Sequence, residues 1–288
     1  MKVWLDGKIV EGSEAKISVL DHGLLYGDGV FEGLRIVNRR VFRLDDHLRR
    51  LAVSAKAIGL TLPLPLEEIG SIVLQTARAF DQDAAYIRLR ITRGEGPLGV
   101  DPTTCREPRI ICIVDHLSMF PQEKMEHGID MLKSSLRRPS PNVLDPHVKS
   151  LNYLNNVLAK QEARLRGVDD ALLLDQSGMV AEASGANIFT VLQGVLSTPP
   201  SHDGALEGIT RDSVLQCATE LGIPAREATL SRYDLFKADE VFLTGTGARM
   251  VPVANLDGQP VGGQHCGPLT AQLSTALARY SQLNGIPF

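Results

Sequence analysis

The chain has 288 residues, of which 43% are hydrophobic and 22% charged, with a formal net charge of -4. That length allows two cores of about 100 to 170 residues each. The balance lacks the basic stripe of a nucleic-acid binder, because the pairs Arg39-Arg40, Arg49-Arg50 and Arg137-Arg138 are short and scattered. No apolar run approaches the roughly 18 residues of a membrane span and the N-terminus has no apolar leader, so a soluble cytoplasmic protein is expected.

In chain order, residues 3–5, 8–10 and 16–20 predict short strands punctuated by Asp-Gly and Glu-Gly turns. Residues 30–37 and 40–42 predict a hairpin across Asn38-Arg39. Asp45 then predicts the cap of a helix whose apolar residues Leu48, Leu51, Ala52, Ala55 and Ile58 follow helical spacing, with Gly59 as its end. A second helix is predicted over 66–80. Strands over 86–92 and 109–114 follow, joined by a Gly/Pro-rich loop. Without a regular βαβ alternation, this first unit reads as α+β.

A domain boundary is expected at the proline-bearing stretch 116–124, leaving a smaller N-terminal domain, 1–115, and a larger C-terminal one, 125–288. In the latter, strands are predicted over 129–136, 171–175, 179–183, 187–192 and 240–243, and helices over 150–166, 210–221 and 269–283. Cys105, Cys112, Cys217 and Cys266 show no C-x-x-C spacing, and His265-Cys266 lacks further ligands at zinc spacings. Neither a metal site nor a disulfide framework is expected, and the cysteines read as reduced.

Four features carry chemistry. Lys149 lies in His147-Val148-Lys149-Ser150-Leu151-Asn152-Tyr153 at the edge of a predicted helix, and Glu182 lies among small and apolar residues in Val180-Ala181-Glu182-Ala183-Ser184. An acid there needs a partner, since a buried unpaired carboxylate is costly. Gly208-Ile209-Thr210 precedes a helix, whose first N–H groups form an anion site. Thr244-Gly245-Thr246-Gly247 follows a strand and could cradle the same anion. Arg50 lies off the apolar stripe of its helix. Tyr86 and Arg88, two apart on a strand, share a face. Each has a plain alternative: a solvated lysine, a structural arginine beside Glu182, an ordinary N-cap at Thr210, a surface Arg50 and an exposed strand face. Taken together, an amine, a carboxylate and two phosphate-type loops are what an enzyme needs to hold pyridoxal phosphate as a Schiff base.

The blocks Tyr26-Gly27-Asp28-Gly29-Val30-Phe31-Glu32-Gly33, Lys149-Ser150-Leu151-Asn152-Tyr153, Glu182-Ala183-Ser184-Gly185-Ala186-Asn187, Glu207-Gly208-Ile209-Thr210-Arg211 and Thr244-Gly245-Thr246-Gly247 together resemble the fold type IV pyridoxal-phosphate aminotransferases. Within that group the branched-chain amino acid aminotransferases are most similar. The likeness covers nearly the whole chain and implies an α+β, two-domain fold like that of D-amino acid aminotransferase. By this resemblance Lys149 is the Schiff-base lysine and proton shuttle, Glu182 keeps the pyridine nitrogen protonated, and Tyr153 hydrogen-bonds the ring oxygen. Arg50, Gly208, Ile209, Thr210 and Thr246 bind the phosphate. Phe31, Gly33, Tyr86 and Arg88 line the substrate pocket, Gly247 and Ala248 offer backbone to the α-carboxylate, and Tyr26 and Gly99-Val100 come from the partner subunit of a homodimer or higher oligomer with shared sites.

The implied substrates are L-amino acids and 2-oxo acids, leucine, isoleucine or valine giving an amino group to 2-oxoglutarate. D-amino acid aminotransferases tend to carry basic residues where this chain has Leu98 and Val100, which favours L-substrates. Arg249 departs from the branched-chain pattern. The alternatives are a D-amino acid or (R)-amine transaminase or an aminodeoxychorismate lyase of the same fold and, from another class, a cofactor-free protein whose loops hold a different anion.

Overall fold

The computed structural model describes residues 1–263 and 266–288, so His265 of the His265-Cys266 pair lies outside the described residues. The chain divides into two compact units: 1–117 with 148–152 and 281–288, and 118–147 with 153–280. The C-terminal domain expected over 125–288 is thus interrupted twice. Both returns are set by backbone pairing within the first unit, Ser150 bridging to Val30 and a C-terminal strand, Gly285–Pro287, joining the sheet.

The first unit contains β1 (Lys2–Leu5), β2 (Lys8–Glu11), α1 (His22–Leu25), β3 (Gly29–Val37), β4 (Arg40–Phe42), α2 (Leu44–Ala57), α3 (Leu66–Phe80), β5 (Ala84–Thr92) and β6 (Arg109–Asp115). Its antiparallel sheet runs Gly285–Pro287, β4, β3, β5, β6, β1, β2. Asn38 and Arg39, at φ 49° and 59°, supply the two left-handed residues of a tight hairpin turn. Along β5 the period of two sends Ala85, Ile87, Leu89 and Ile91 into the core with Leu34, Ile36, Leu51, Ile69 and Val73, and leaves Tyr86, Arg88 and Arg90 on the other face.

Two expectations differ here. Residues 16–20 form no strand: β2 ends the sheet, no ladder reaches that stretch, and Ile17, Val19 and Leu20 are exposed. The cap of α2 is Arg43 in a left-handed conformation with no side-chain cap bond, while Asp45 and Asp46 sit in the first turn, where the helix dipole favours acids. Ile58 closes α2, and Gly59 follows at φ 62°.

The second unit contains α4 (Gln122–His127), β7 (Ile129–Arg137), α5 (Leu154–Leu165), β8 (Asp170–Leu174), β9 (Val180–Ala183), β10 (Asn187–Leu192), β11 (Val195–Thr198), α6 (Ile209–Glu220), β12 (Ala225–Glu227), α7 (Arg232–Lys237), β13 (Glu240–Gly245), β14 (Arg249–Leu256), β15 (Gln259–Pro260) and most of α8 (Pro268–Leu283). Its mixed sheet runs β12, β11, β10, β13, β14, β7, β8, β9, with β15 beside β14. Helix α5 begins at Leu154 rather than near Ser150, because the backbone of 149–151 is bonded to the first unit's sheet. Among the described residues, no helix is long and apolar enough to cross a membrane, and no group of three or more His, Cys, Asp or Glu could hold a metal. All four cysteines are free thiols.

Candidate active site

In the first unit, Lys149 is held by its main chain. Its carbonyl accepts from Phe31 N at 3.0 Å, its N–H donates to Ser54 Oγ at 3.2 Å, and Leu151 N donates to Gly29 O at 2.9 Å. Gly29 permits this approach, since a Cβ there would meet Ile91 O at 2.5 Å and Leu151 Cδ1 at 2.7 Å. Asn152 Nδ2 donates to Gly27 O, with Gly27 in the positive-φ region that glycine tolerates.

Lys149 Nζ lies 4.6 Å from the centroid of the Phe31 ring. The Arg88 guanidinium lies 4.7 Å from the same ring and 5.3 Å from that of Tyr86. Gly33 faces Arg88 across the β3–β5 ladder, and a Cβ on it would fall 2.1 Å from Tyr86 Oη, so the missing side chain makes room for that hydroxyl. The structure thus gathers Phe31, Gly33, Tyr86, Arg88 and the Lys149 amine into one cluster, an apolar wall carrying cationic groups. Tyr26 is grouped elsewhere: its hydroxyl accepts from Gly99 N at 2.8 Å, its ring meets His22 edge-on, and the neighbouring Val100 is 81% exposed.

Arg50 is not the surface arginine its position off the stripe suggested. Its Nε and Nη2 each donate to Glu32 at 2.7 Å, and His47 Nδ1 meets the same carboxylate at 2.7 Å. Burial works to raise the pKa of Glu32, but Arg50 and His47 outweigh it and hold the group down to about 2. Burial likewise pushes His47 below its usual value, against the opposing pull of Glu32. Sequence reasoning missed this cluster. The signal was present: Glu32 shares the strand face of Val30 and Leu34, so a charge there is buried and needs a partner.

In the second unit, buried Glu182 on β9 accepts from Arg138 Nη2 at 3.0 Å on Oε1, and from Leu206 N at 3.0 Å and Asn187 Nδ2 at 3.3 Å on Oε2. Arg138 is also bound to Gly204 O and Asn156 Oδ1. The structural arginine is therefore real, yet it does not use up the carboxylate. A carboxylate offers about four acceptor positions, and one on Oε1 remains without a donor among the described residues.

Asn187 links this acid to the start of α6. Its Oδ1 sits 2.0 Å from where a Cβ of Gly208 would be, so only glycine lets the amide close on the helix start. Gly208 is the N-cap of α6 and makes no side-chain cap bond, so Ile209 and Thr210 open the helix with N–H groups that have no acceptor within it. With the helix dipole behind them, such groups suit a phosphate. Thr246, Gly247 and Ala248 form the turn from β13 to β14, next to Thr244, whose buried Oγ1 has no partner among the described residues. Arg249 closes that turn, exposed and at φ 60°. Tyr153 is the half-buried N-cap residue of α5. Within this unit, a partnered carboxylate with an acceptor position to spare, an uncapped helix start and hydroxyl-bearing turns fit a phosphorylated pyridine.

The fold and these donors define a pyridoxal-phosphate enzyme of mixed α and β structure. Residues 29–256 match the model of the class IV amino-transferases, and the chain belongs to that family. It is 49% identical over 273 residues, 95% of this chain and 94% of the other, to a Methanocaldococcus jannaschii protein named "Putative branched-chain-amino-acid aminotransferase". The crystal structure of the Escherichia coli branched-chain amino acid aminotransferase is similar at TM-score 0.92 and 38% identity, covering 95% of this chain and 92% of that one. That of the branched-chain amino acid aminotransferase from Thermobaculum terrenum in its PLP form is similar at TM-score 0.88 and 31% identity, covering 98% of this chain and 94% of that one.

Proposed function

We propose that this chain is a branched-chain amino acid aminotransferase, moving the amino group of L-leucine, L-isoleucine or L-valine to 2-oxoglutarate in a ping-pong cycle. The observation that carries this reading is the Phe31–Gly33–Tyr86–Arg88 face beside the Lys149 amine. The aromatic rings suit a branched aliphatic side chain, and the guanidinium suits the distal carboxylate of glutamate or 2-oxoglutarate.

When bound, pyridoxal phosphate supplies an aldehyde that takes up the amino group and a ring that draws electrons from the substrate α-carbon. Lys149 Nζ would hold the cofactor and, as a free amine, would carry the proton between the substrate α-carbon and the carbon that bears the transferred amino group. Glu182 Oε1, with an acceptor position to spare, would accept the ring N–H and keep the proton there. Tyr153 Oη would hydrogen-bond the ring oxygen. The N–H groups of Ile209 and Thr210 at the Gly208 cap and the Thr246 hydroxyl would hold the phosphate, and Arg50 would add its charge to that task. Gly247 and Ala248 offer N–H groups to the α-carboxylate. Tyr26 and Val100 act on the site of a second copy, which makes the working unit a homodimer or higher homo-oligomer, and the compartment is the cytoplasm.

The test is a panel of half-reactions read by cofactor absorbance. L-Leucine and L-glutamate should both convert the pyridoxal form to the pyridoxamine form, whereas D-leucine and an (R)-amine should not. Conversion by D-leucine in preference to L-leucine overturns the assignment.

A further inference from the structure

Glu32, His47 and Arg50 form a buried charged cluster where α2 packs on β3. Glu32 and His47 are both fully enclosed, and Glu32 takes Arg50 by two nitrogens at once, Nε on Oε1 and Nη2 on Oε2. A two-point grip fixes the plane of the guanidinium as well as its position. His47 supplies a third contact at Oε2 and so fixes the carboxylate in turn, while its Nε2 is buried without a partner among the described residues.

Stability alone is a poor reason for such a cluster, since apolar residues of similar volume usually hold a core as well as a buried ion pair does. Its place in the fold supplies another. The two elements it joins are those that hold the Lys149 backbone: Phe31, next to Glu32 on β3, donates to Lys149 O, and Ser54, one turn beyond Arg50 on α2, accepts from Lys149 N. The grip of Glu32 on Arg50 thus fixes the Arg50 guanidinium relative to the two elements that hold the Lys149 backbone. We propose that Glu32, steadied by His47, is a positioning residue that aims Arg50 at the cofactor's phosphate. This rests on the reading above in which Arg50 holds that phosphate.

Because the effect is on the phosphate end alone, it separates from a general loss of fold when two probes are compared, pyridoxal phosphate and pyridoxal, which lacks the phosphate. Holoenzyme is dialysed to equilibrium against graded concentrations of each, and bound cofactor is measured in wild type, Arg50→Ala and Glu32→Gln. Glu32→Gln should weaken pyridoxal phosphate by about ten- to a hundredfold, the range of a charge-assisted hydrogen bond, and change pyridoxal by less than about threefold. Arg50→Ala should show at least the same selective loss. If Arg50→Ala loses phosphate preference and Glu32→Gln does not, or Glu32→Gln weakens both probes equally, the positioning role is overturned while the Arg50 reading stands. If Arg50→Ala itself leaves the preference unchanged, the Arg50 reading fails and this inference falls with it. Should Glu32→Gln not fold, the same ratio is read on Glu32→Asp, whose shorter side chain cannot span both nitrogens in place: selective loss supports the role and an unchanged ratio overturns it.

Discussion

Replacing Glu182 with Gln perturbs two things that the structure keeps distinct. The carboxylate accepts from three donors, Arg138 Nη2, Leu206 N and Asn187 Nδ2, spread over both oxygens. An amide has only one oxygen, so whichever way it turns, its NH2 group faces a donor. Arg138 keeps Gly204 O and Asn156 Oδ1, which limits the damage. One lost charge-assisted bond and one donor set against another should cost about 3 kcal/mol of stability, at the low end for breaking a buried ion pair. The loss is read as a lower urea midpoint. The chemical effect comes on top of this: without an anion at Oε1 the ring nitrogen is not held protonated, and the L-leucine half-reaction, followed by stopped flow at saturating substrate, should slow by about a hundredfold or more. A variant that loses stability but keeps its half-reaction rate would show that Glu182 serves Arg138 and nothing else.

Lys149→Ala should fold and bind the cofactor without a covalent bond yet fail to turn over, and steady-state transamination at a wild-type rate would refute its role. Arg88→Ala should lower the specificity constant for L-glutamate relative to L-leucine by about ten- to a hundredfold, as one charge-assisted hydrogen bond is lost; an unchanged ratio would make Arg88 structural and turn attention to exposed Arg249. The carboxylate of Glu32, held down to about 2 against an unfolded value of 4.5, contributes stability that is complete above 4.5 and is lost as the pH falls through about 2. That contribution is roughly 3 kcal/mol, so the gap in urea midpoint between wild type and Glu32→Gln should narrow as the pH drops from 5 towards 2, and a gap that stays constant would contradict the shift. His47, lowered by burial, adds a loss of its own as the pH falls below about 6.5, where the unfolded chain takes up the proton more readily than the folded one.

Local signals in the sequence carry local structure. The Asn38-Arg39 turn, the 66–80 helix and the shared face of Tyr86 and Arg88 all follow from periodicity and turn chemistry, and the structure has each of them. Long-range pairing left no such mark. Residues 149–152 look like a helix start, yet Gly29, Val30 and Phe31 take up the backbone groups of 149–151. The strand Gly285–Pro287 pairs with β4, more than two hundred residues away in sequence. The same limit applies to the candidate site. Lys149 and Glu182 stand out by residue type and setting, but their partners do not: Arg138 reads as half of a surface pair, Asn187 as an ordinary strand residue, and Arg50 shows its buried role only once Glu32 is beside it.

The role of Lys149 is tested most directly by reducing the purified holoenzyme with borohydride, digesting it and locating the cofactor by peptide mass. A single pyridoxyl-phosphate adduct is expected, on Lys149 in the peptide containing His147-Val148-Lys149-Ser150, and none when the enzyme is first converted by L-leucine. An adduct on another lysine, or one that L-leucine leaves in place, would contradict it.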